Sequence, residues 1–309
     1  MKSPLDKLIM MKKGLESGQA IVLVLLSLSV VLTIVLFVLS RSVTDITTST
    51  EQADSVRAFS AAEAGIENAL ITGAGSSGDL GGGVSYSVAV TNYAEGLPNF
   101  NYPVPLLSGD SMTIWFVAHN VDGSITCSPE LPCFTGNTVK VCWGNSGTVA
   151  SSPSTPAIEV SVYYETTPGS LSTVRIGRTT IDPNSGRLTP NYFGTVDAGG
   201  CTIDGVNYAF QKTFNLSDMG VPAESYTTQH GLLFAKIRML YNTNTGHILG
   251  TSVNFPGNSN LPSQGMNIVS TGAAGTEGSL SNRRVSVFRG WQEFPLSGLA
   301  VFYPYGISK

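Results

Sequence analysis

The chain has 309 residues, only 12% of them charged, with 34 Gly and 16 Pro and a net charge of −4. This is long enough to bury a sizeable core, and the low charge and many turn formers suit a β-rich extracellular protein better than a cytosolic helical enzyme. The first 18 residues hold Lys2, Lys7, Lys12 and Lys13 against Asp6 and Glu16, so the remainder balances at 13 basic against 19 acidic, or −6. An acidic body without a basic stripe argues against nucleic acid as a direct partner.

Residues 1–18 form a basic, weakly apolar leader ending in Gly18. Residues 19–40 follow as a predicted transmembrane segment. Within it, residues 20–39 carry only Ser27, Ser29 and Thr33 as polar groups. Twenty residues at about 1.5 Å each give about 30 Å, the thickness of a bilayer's hydrocarbon. The lysines before the run place the N-terminus in the cytoplasm and the rest outside. A secretory signal fits poorly, because its apolar core is shorter and ends in a small-x-small cleavage site, and none follows Leu39.

From Gln19 to Ala64 there is neither Gly nor Pro. Random placement would put about seven there, so the helix is predicted to continue past the membrane surface. Over residues 41–72 it becomes amphipathic. Val43, Ile46, Ala53, Val56, Phe59, Ala62, Ile66 and Leu70 recur mostly at helical spacing. Val56, Phe59, Ile66 and Leu70 are the residues expected to pack on the following domain. The stretch 73–83 (GAGSSGDLGGG) reads as a flexible linker.

From residue 84 the period changes to two. Val84–Val90 alternates, and Met112–Ala118, Thr138–Trp143, Ile158–Tyr164, Thr173–Ile181, Val206–Phe214, Leu232–Tyr241, Ile248–Phe255, Arg284–Phe288 and Leu299–Tyr303 are further predicted strands. Asp182–Gly186 and Asn242–Gly246 have the composition of tight hairpin turns. The expected fold class is α+β: a long N-terminal, partly transmembrane helix followed by a mostly antiparallel β-rich globular domain over 84–309, in a lollipop arrangement. Whether 84–309 is one domain or two subdomains stays open.

Cys127, Cys133, Cys142 and Cys201 all follow the apolar run. An even number on the outer side of a membrane suggests disulfides, with three connectivities possible. Cys127–Cys133 together with Cys142–Cys201 is favoured. A metal site is not expected, since there is no CxxC and His119, His230 and His247 lie at no ligand spacing. No cofactor is implied.

The leader ending in Gly18, the uncharged run opening Gln19-Ala-Ile-Val, the lone Arg41 and an Ala-rich continuation together resemble a type IV prepilin. Residues 58–69 (AFSAAEAGIENA) resemble the N-terminal region of PilX-type minor pilins and pseudopilins. The resemblance covers roughly residues 12–70. It implies cleavage after Gly18 by a prepilin peptidase, with Gln19 the new N-terminus and open to N-methylation. It further implies residence in the inner membrane, then assembly with other pilin subunits through the N-terminal helix into an extracellular filament. Most pilins carry Glu at the fifth mature position, where this chain has Leu23. In the family that carboxylate is thought to neutralise the amine of a neighbouring subunit, and an unpaired buried amine is costly. The departure favours a minor, priming or tip-located subunit. Such a filament would support adhesion, DNA uptake, motility or secretion.

The alternative is an uncleaved, membrane-anchored extracellular β-domain acting as an adhesin, with an unidentified surface ligand. An enzyme is not expected. There is no GxSxG, Gly144-Asn-Ser-Gly147 reads as a turn, and no histidine lies in a triad motif. Glu159 and Asp182 form no recognisable carboxylate pair. Asp182-x-Asn184-x-Gly186 has part of a calcium-loop pattern but lacks the later bidentate Glu. Arg283-Arg284 reads as an exposed strand start. Trp115, Trp143 and Trp291 are either core residues or a sugar- or surface-binding patch.

Overall fold

The computed structural model describes residues 4–120, 122–253, 260–276 and 279–293. The predicted strand Leu299–Tyr303 lies outside them. The chain is α+β, and it divides into two compact units. The first comprises the N-terminal helix to Glu67 with Ser76–Val88 and Ser270–Val285; the second comprises Asn68–Gly75, Ala89–Val269 and the residues from Ser286 onward.

Helix α1 (Pro4–Thr72) runs unbroken for 69 residues, about 100 Å at 1.5 Å per residue. The stretch free of Gly and Pro lies inside it. Its end is set locally: the Gly73 amide donates to Ala69 O at 2.8 Å, and Gly73 takes a φ of 69°, the left-handed cap that glycine adopts without penalty.

In the first unit, strand β1 (Ser76–Gly81) pairs antiparallel with β2 (Val84–Asn92), so the predicted 73–83 linker is corrected to a strand and a turn. Its composition reads as a loop because it has no β-branched residue, and its pairing comes from β2. Gly78 lies against the Tyr86 ring, which would have to shift to admit a Cβ 2.6 Å away. The sheet is completed by β14 (Gly265–Thr276) and β15 (Ser279–Gly290) in the order β1-β2-β14-β15. Strand β14 gives only a short β-propensity signal, at Ile268, Val269 and Thr271, before Gly272, Ala273, Ala274 and Gly275 dilute it.

The helix meets this sheet through its small residues. Ala58, Ala61 and Ala62 are completely buried and Ile66 is 7% exposed. A Cβ on Gly272 would collide with Ala58 O and stand 2.5 Å from Ala62 N. One on Gly65 would collide with Ser270 Oγ. Of the predicted packing residues, Ile66 is buried, but Val56 is 65% and Phe59 46% exposed; in the second unit Leu70 is 36% exposed. That expectation is corrected at Val56, Phe59 and Leu70. Helix and strand backbones approach so closely at Gly272 and Gly65 that no side chain fits at those two positions, and Val56 and Phe59 are left exposed. Arg283 lies within β15 rather than at its start, and its Nε and Nη2 donate to Ser55 Oγ at 2.8 and 2.6 Å.

The second unit is built on two antiparallel sheets. One has the order β10-β11-β7-β13-β3, from β3 (Asn99–Asn101), β7 (Thr138–Asn145), β10 (Cys201–Ile203), β11 (Val206–Asn215) and β13 (Leu249–Ser252). The other has the order β4-β12-β8-β9, from β4 (Ser111–Trp115), β8 (Ala157–Glu165), β9 (Val174–Ile181) and β12 (Leu232–Leu240). A small hairpin pairs β5 (Ala118–His119) with β6 (Ile125–Thr126). Alternate residues face inward: Val139, Val141 and Trp143 from β7 share one core with Ile158, Val160 and Val162 from β8 and Ile237 and Met239 from β12. This is sandwich packing. The indole of Trp143 is fully buried and donates to Pro156 O at 2.9 Å.

Both predicted hairpin turns are corrected. Asp182–Gly186 leads into a short helix, α2 (Ser185–Asn191), with the Asn184 side chain capping Gly186 N at 3.0 Å. Asn242–Gly246 carries the chain from β12 in one sheet to β13 in the other. Turn residues report a local reversal; which strand the chain joins afterwards is decided by distant partners.

Candidate functional site

The first functional element is α1 itself. Among the described residues it is the one helix long and apolar enough to cross a membrane. From Ala20 to Leu39 every residue is exposed, Leu23 at 66%. The three polar residues of this run are satisfied within the helix. Ser27 Oγ donates to Val24 O at 2.9 Å, Ser29 Oγ to Leu26 O at 2.8 Å, and Thr33 Oγ1 to Val30 O at 2.8 Å. No hydroxyl then needs water, which is what a lipid or apolar environment requires. The backbone of Gly18 and Gln19 lies within α1, and their side chains lie outside the described part.

The second element is oxidative. Cys127 bonds Cys133 and Cys142 bonds Cys201, the favoured pairing. The loops they close, with separations of 6 and 59 residues, correspond by chain entropy to about 2 and about 4 kcal/mol. Cys142 points away from the sandwich core, as the alternation of β7 requires, into a buried group with Cys201, Ile203 and Tyr208. Burial pushes the Tyr208 phenol up to about 12, and it donates to Asn101 Oδ1 at 2.7 Å.

The third element is a cleft of about 770 Å³, lined wholly by residues of the second unit. Besides Gly73, Ala74 and Gly75, which follow α1, and Gln229, four local structures line it. The β5–β6 hairpin brings His119 and Asn120. The Cys127–Cys133 loop brings Glu130, Leu131 and Pro132. The end of β2 brings Asn92 and the turn after it Glu95, and the segment before β14 brings Asn260 and Pro262, with Met266 and Trp291 closing the wall. Gln264, 2% exposed, anchors that segment to β4: its Oε1 accepts from Trp115 N at 2.8 Å and its Nε2 donates to Trp115 O at 2.9 Å. The Trp291 indole donates to Ser263 O at 2.8 Å.

Aromatic rings run in a row toward the cleft. Tyr163 stacks on Phe234 at 4.2 Å, Phe234 meets Trp115 at 5.0 Å, Trp115 meets the His119 ring edge-on at 4.5 Å, and Trp291 stacks on His119 at 4.7 Å. Burial pushes His119 down to about 4, so the imidazole is neutral at physiological pH. Its Nδ1 finds no hydrogen-bond partner among the described residues. Of the three tryptophans, Trp143 and Trp115 are core residues, and Trp291 is the one that is partly open, in the cleft wall.

The other candidate residues make structural contacts. His247 Nδ1 accepts from Asn145 N at 3.0 Å, and burial lowers its pKa. His230 Nδ1 lies 3.3 Å from Glu165 Oε2, while the Ser225 hydroxyl donates to the backbone of Glu165 at 2.6 Å rather than to an imidazole. Asp182 is buried and its Oδ1 pairs with Arg187 Nη2 at 2.8 Å, so the partial calcium-loop pattern is engaged by a guanidinium. Glu159 pairs with Arg178 at 3.0 Å. Among the described residues no three His, Cys, Asp or Glu side chains converge as metal ligands. Sequence reasoning singled out Trp291 and His119 separately, and nothing local announces that they stack.

No protein-family model, curated protein or solved structure matches this chain.

Proposed function

We propose that this chain is a non-enzymatic minor pilin or pseudopilin, processed after Gly18 and carried into a type IV pilus-like filament as a priming or tip subunit. The observation that carries this reading is the continuity of α1. The membrane-length apolar run passes without a break into a segment whose Ala-rich face packs on the chain's own sheet. A simple anchor usually gives way to a polar linker at the membrane surface. In the filament, the exposed face of residues 20–39 exchanges lipid for the helices of neighbouring subunits, which its internally satisfied hydroxyls permit. Leu23 leaves the subunit without the carboxylate that would neutralise a neighbour's N-terminal amine, hence the priming or tip assignment. The β-rich remainder lies outside the cell, where both disulfides persist.

Mass spectrometry of the native protein tests the reading. The expected result is an N-terminus at Gln19, with or without a methyl group, that depends on a prepilin peptidase. An intact Met1 would replace the pilin reading with that of an uncleaved anchored adhesin.

A further inference from the structure

The cleft of the second unit has a composition that selects a chemical class. No Lys or Arg is among its described lining residues, and two carboxylates, Glu95 and Glu130, stand at its rim. An anionic ligand would meet like charge with no compensating cation. The neutral state of His119 adds none at physiological pH.

What the walls offer instead is a flat ring and groups that both donate and accept. Trp291 presents a partly exposed indole, backed by the stacked His119 at 4.7 Å and tethered through its Nε1 to Ser263 O at 2.8 Å. A tethered, backed ring keeps its orientation, so little entropy is lost when something stacks on it. The same cleft is lined by the carboxamides of Gln229, Asn260 and Asn120, the last with its Nδ2 donating to Ser124 Oγ at 2.9 Å. A carboxamide donates and accepts side by side, the pattern two adjacent hydroxyls require. Asn92 Nδ2 donates to Glu95 Oε2 at 2.6 Å, which holds that carboxylate as an oriented acceptor. A volume of about 770 Å³ lies within the range of ordinary small-ligand sites.

We propose that this cleft binds a neutral saccharide, its apolar C–H face on Trp291 and its hydroxyls on the surrounding carboxamides and carboxylates. The proposal rests on the proposed function only in placing the cleft outside the cell. It converts a subunit defined by its helix into one with a ligand of its own.

The test uses the full-length chain in lipid nanodiscs, prepared without glycoside detergents, which would compete. Saturation-transfer NMR and tryptophan fluorescence are recorded with lactose, cellobiose and N,N′-diacetylchitobiose, with 3′-sialyllactose as the anionic control and an oligolysine peptide as the cationic one. The expected result is transfer to the ring protons of at least one neutral disaccharide, with none to sialyllactose. Trp291→Ala should weaken that binding by about tenfold or more, and Trp291→Phe, which keeps a ring, by about threefold. Gln229 is exposed, so Gln229→Ala keeps the fold intact and should weaken binding several-fold. Three results would overturn the proposal: no signal from any neutral sugar, binding of oligolysine alone, or an affinity unchanged in both Trp291→Ala and Gln229→Ala. None of these alters the N-terminal mass, so failure here is distinct from failure of the pilin reading.

Discussion

The two units solve the packing problem in opposite ways. Between the sheets of the second unit the core is made of large side chains: Trp143, Phe116, Phe134, Met112 and Met239 are all essentially inaccessible. In the first unit the helix–sheet contact is made by Ala58 and Ala62 against Gly272 and by Gly65 against Ser270. The sandwich gains its stability from buried area, with each large residue filling volume between backbones about 10 Å apart. The helix contact gains it from close backbone approach, where dispersion acts over many atoms at short range and any added side chain is a collision. A hydrophobicity scale sees the first kind of core and overlooks the second.

Three tests sharpen that contrast, from the largest expected effect to the smallest. Trp143→Ala removes a fully buried indole and its hydrogen bond to Pro156 O, and should cost about 3–5 kcal/mol. Denaturant unfolding should show it as a lower midpoint with the disulfides intact.

His119 gives a pH dependence to the second unit. Burial holds its folded pKa at about 4, below the ordinary histidine value of about 6.5. The unfolded chain therefore binds a proton that the folded chain refuses between those two values. The stability associated with neutral His119 is fully present above about pH 6.5 and is lost as pH falls toward 4. It amounts to an order-of-magnitude figure of about 3 kcal/mol. Melting temperatures across this window should fall in the wild type and flatten in His119→Phe. An equal slope in the variant would show that other groups carry it.

The smallest effects belong to the helix contact and separate its two faces. Gly272→Val should destabilise the first unit by about 1–3 kcal/mol through overpacking against Ala58 O, whereas Val56→Ala on the exposed face should stay within about 0.5 kcal/mol. Hydrogen exchange in β14 reads both. If Val56→Ala opened the strand and Gly272→Val did not, the assignment of the packing face would be reversed.

Much of the second unit was legible in the chain. β7, β8, β11 and β12 alternate with period two, and the structure places them within a residue or two of their predicted limits. Strands β1 and β14 were not legible: β1 has no β-branched residue, and Gly and Ala interrupt β14 after a short run at Ile268, Val269 and Thr271, so their strand character depends on their partners. The cleft was less legible still. Asn92, His119, Glu130, Gln229 and Trp291 come from five separate parts of the chain, and no spacing rule relates them.

By itself the amino-acid sequence determined the properties that depend on near neighbours. An apolar run of bilayer length, the absence of helix breakers and the alternation of the strands are local statements, and local propensity and hydrophobic period are enough to read them. Tertiary structure alone decided which face of α1 packs, which sheet each strand joins and what meets in the cleft. Those are contacts between residues far apart in the chain, where fit, not type, determines the outcome. Ala58 and Gly272 are buried together because their backbones approach that closely, while Val56, the more hydrophobic residue, remains exposed.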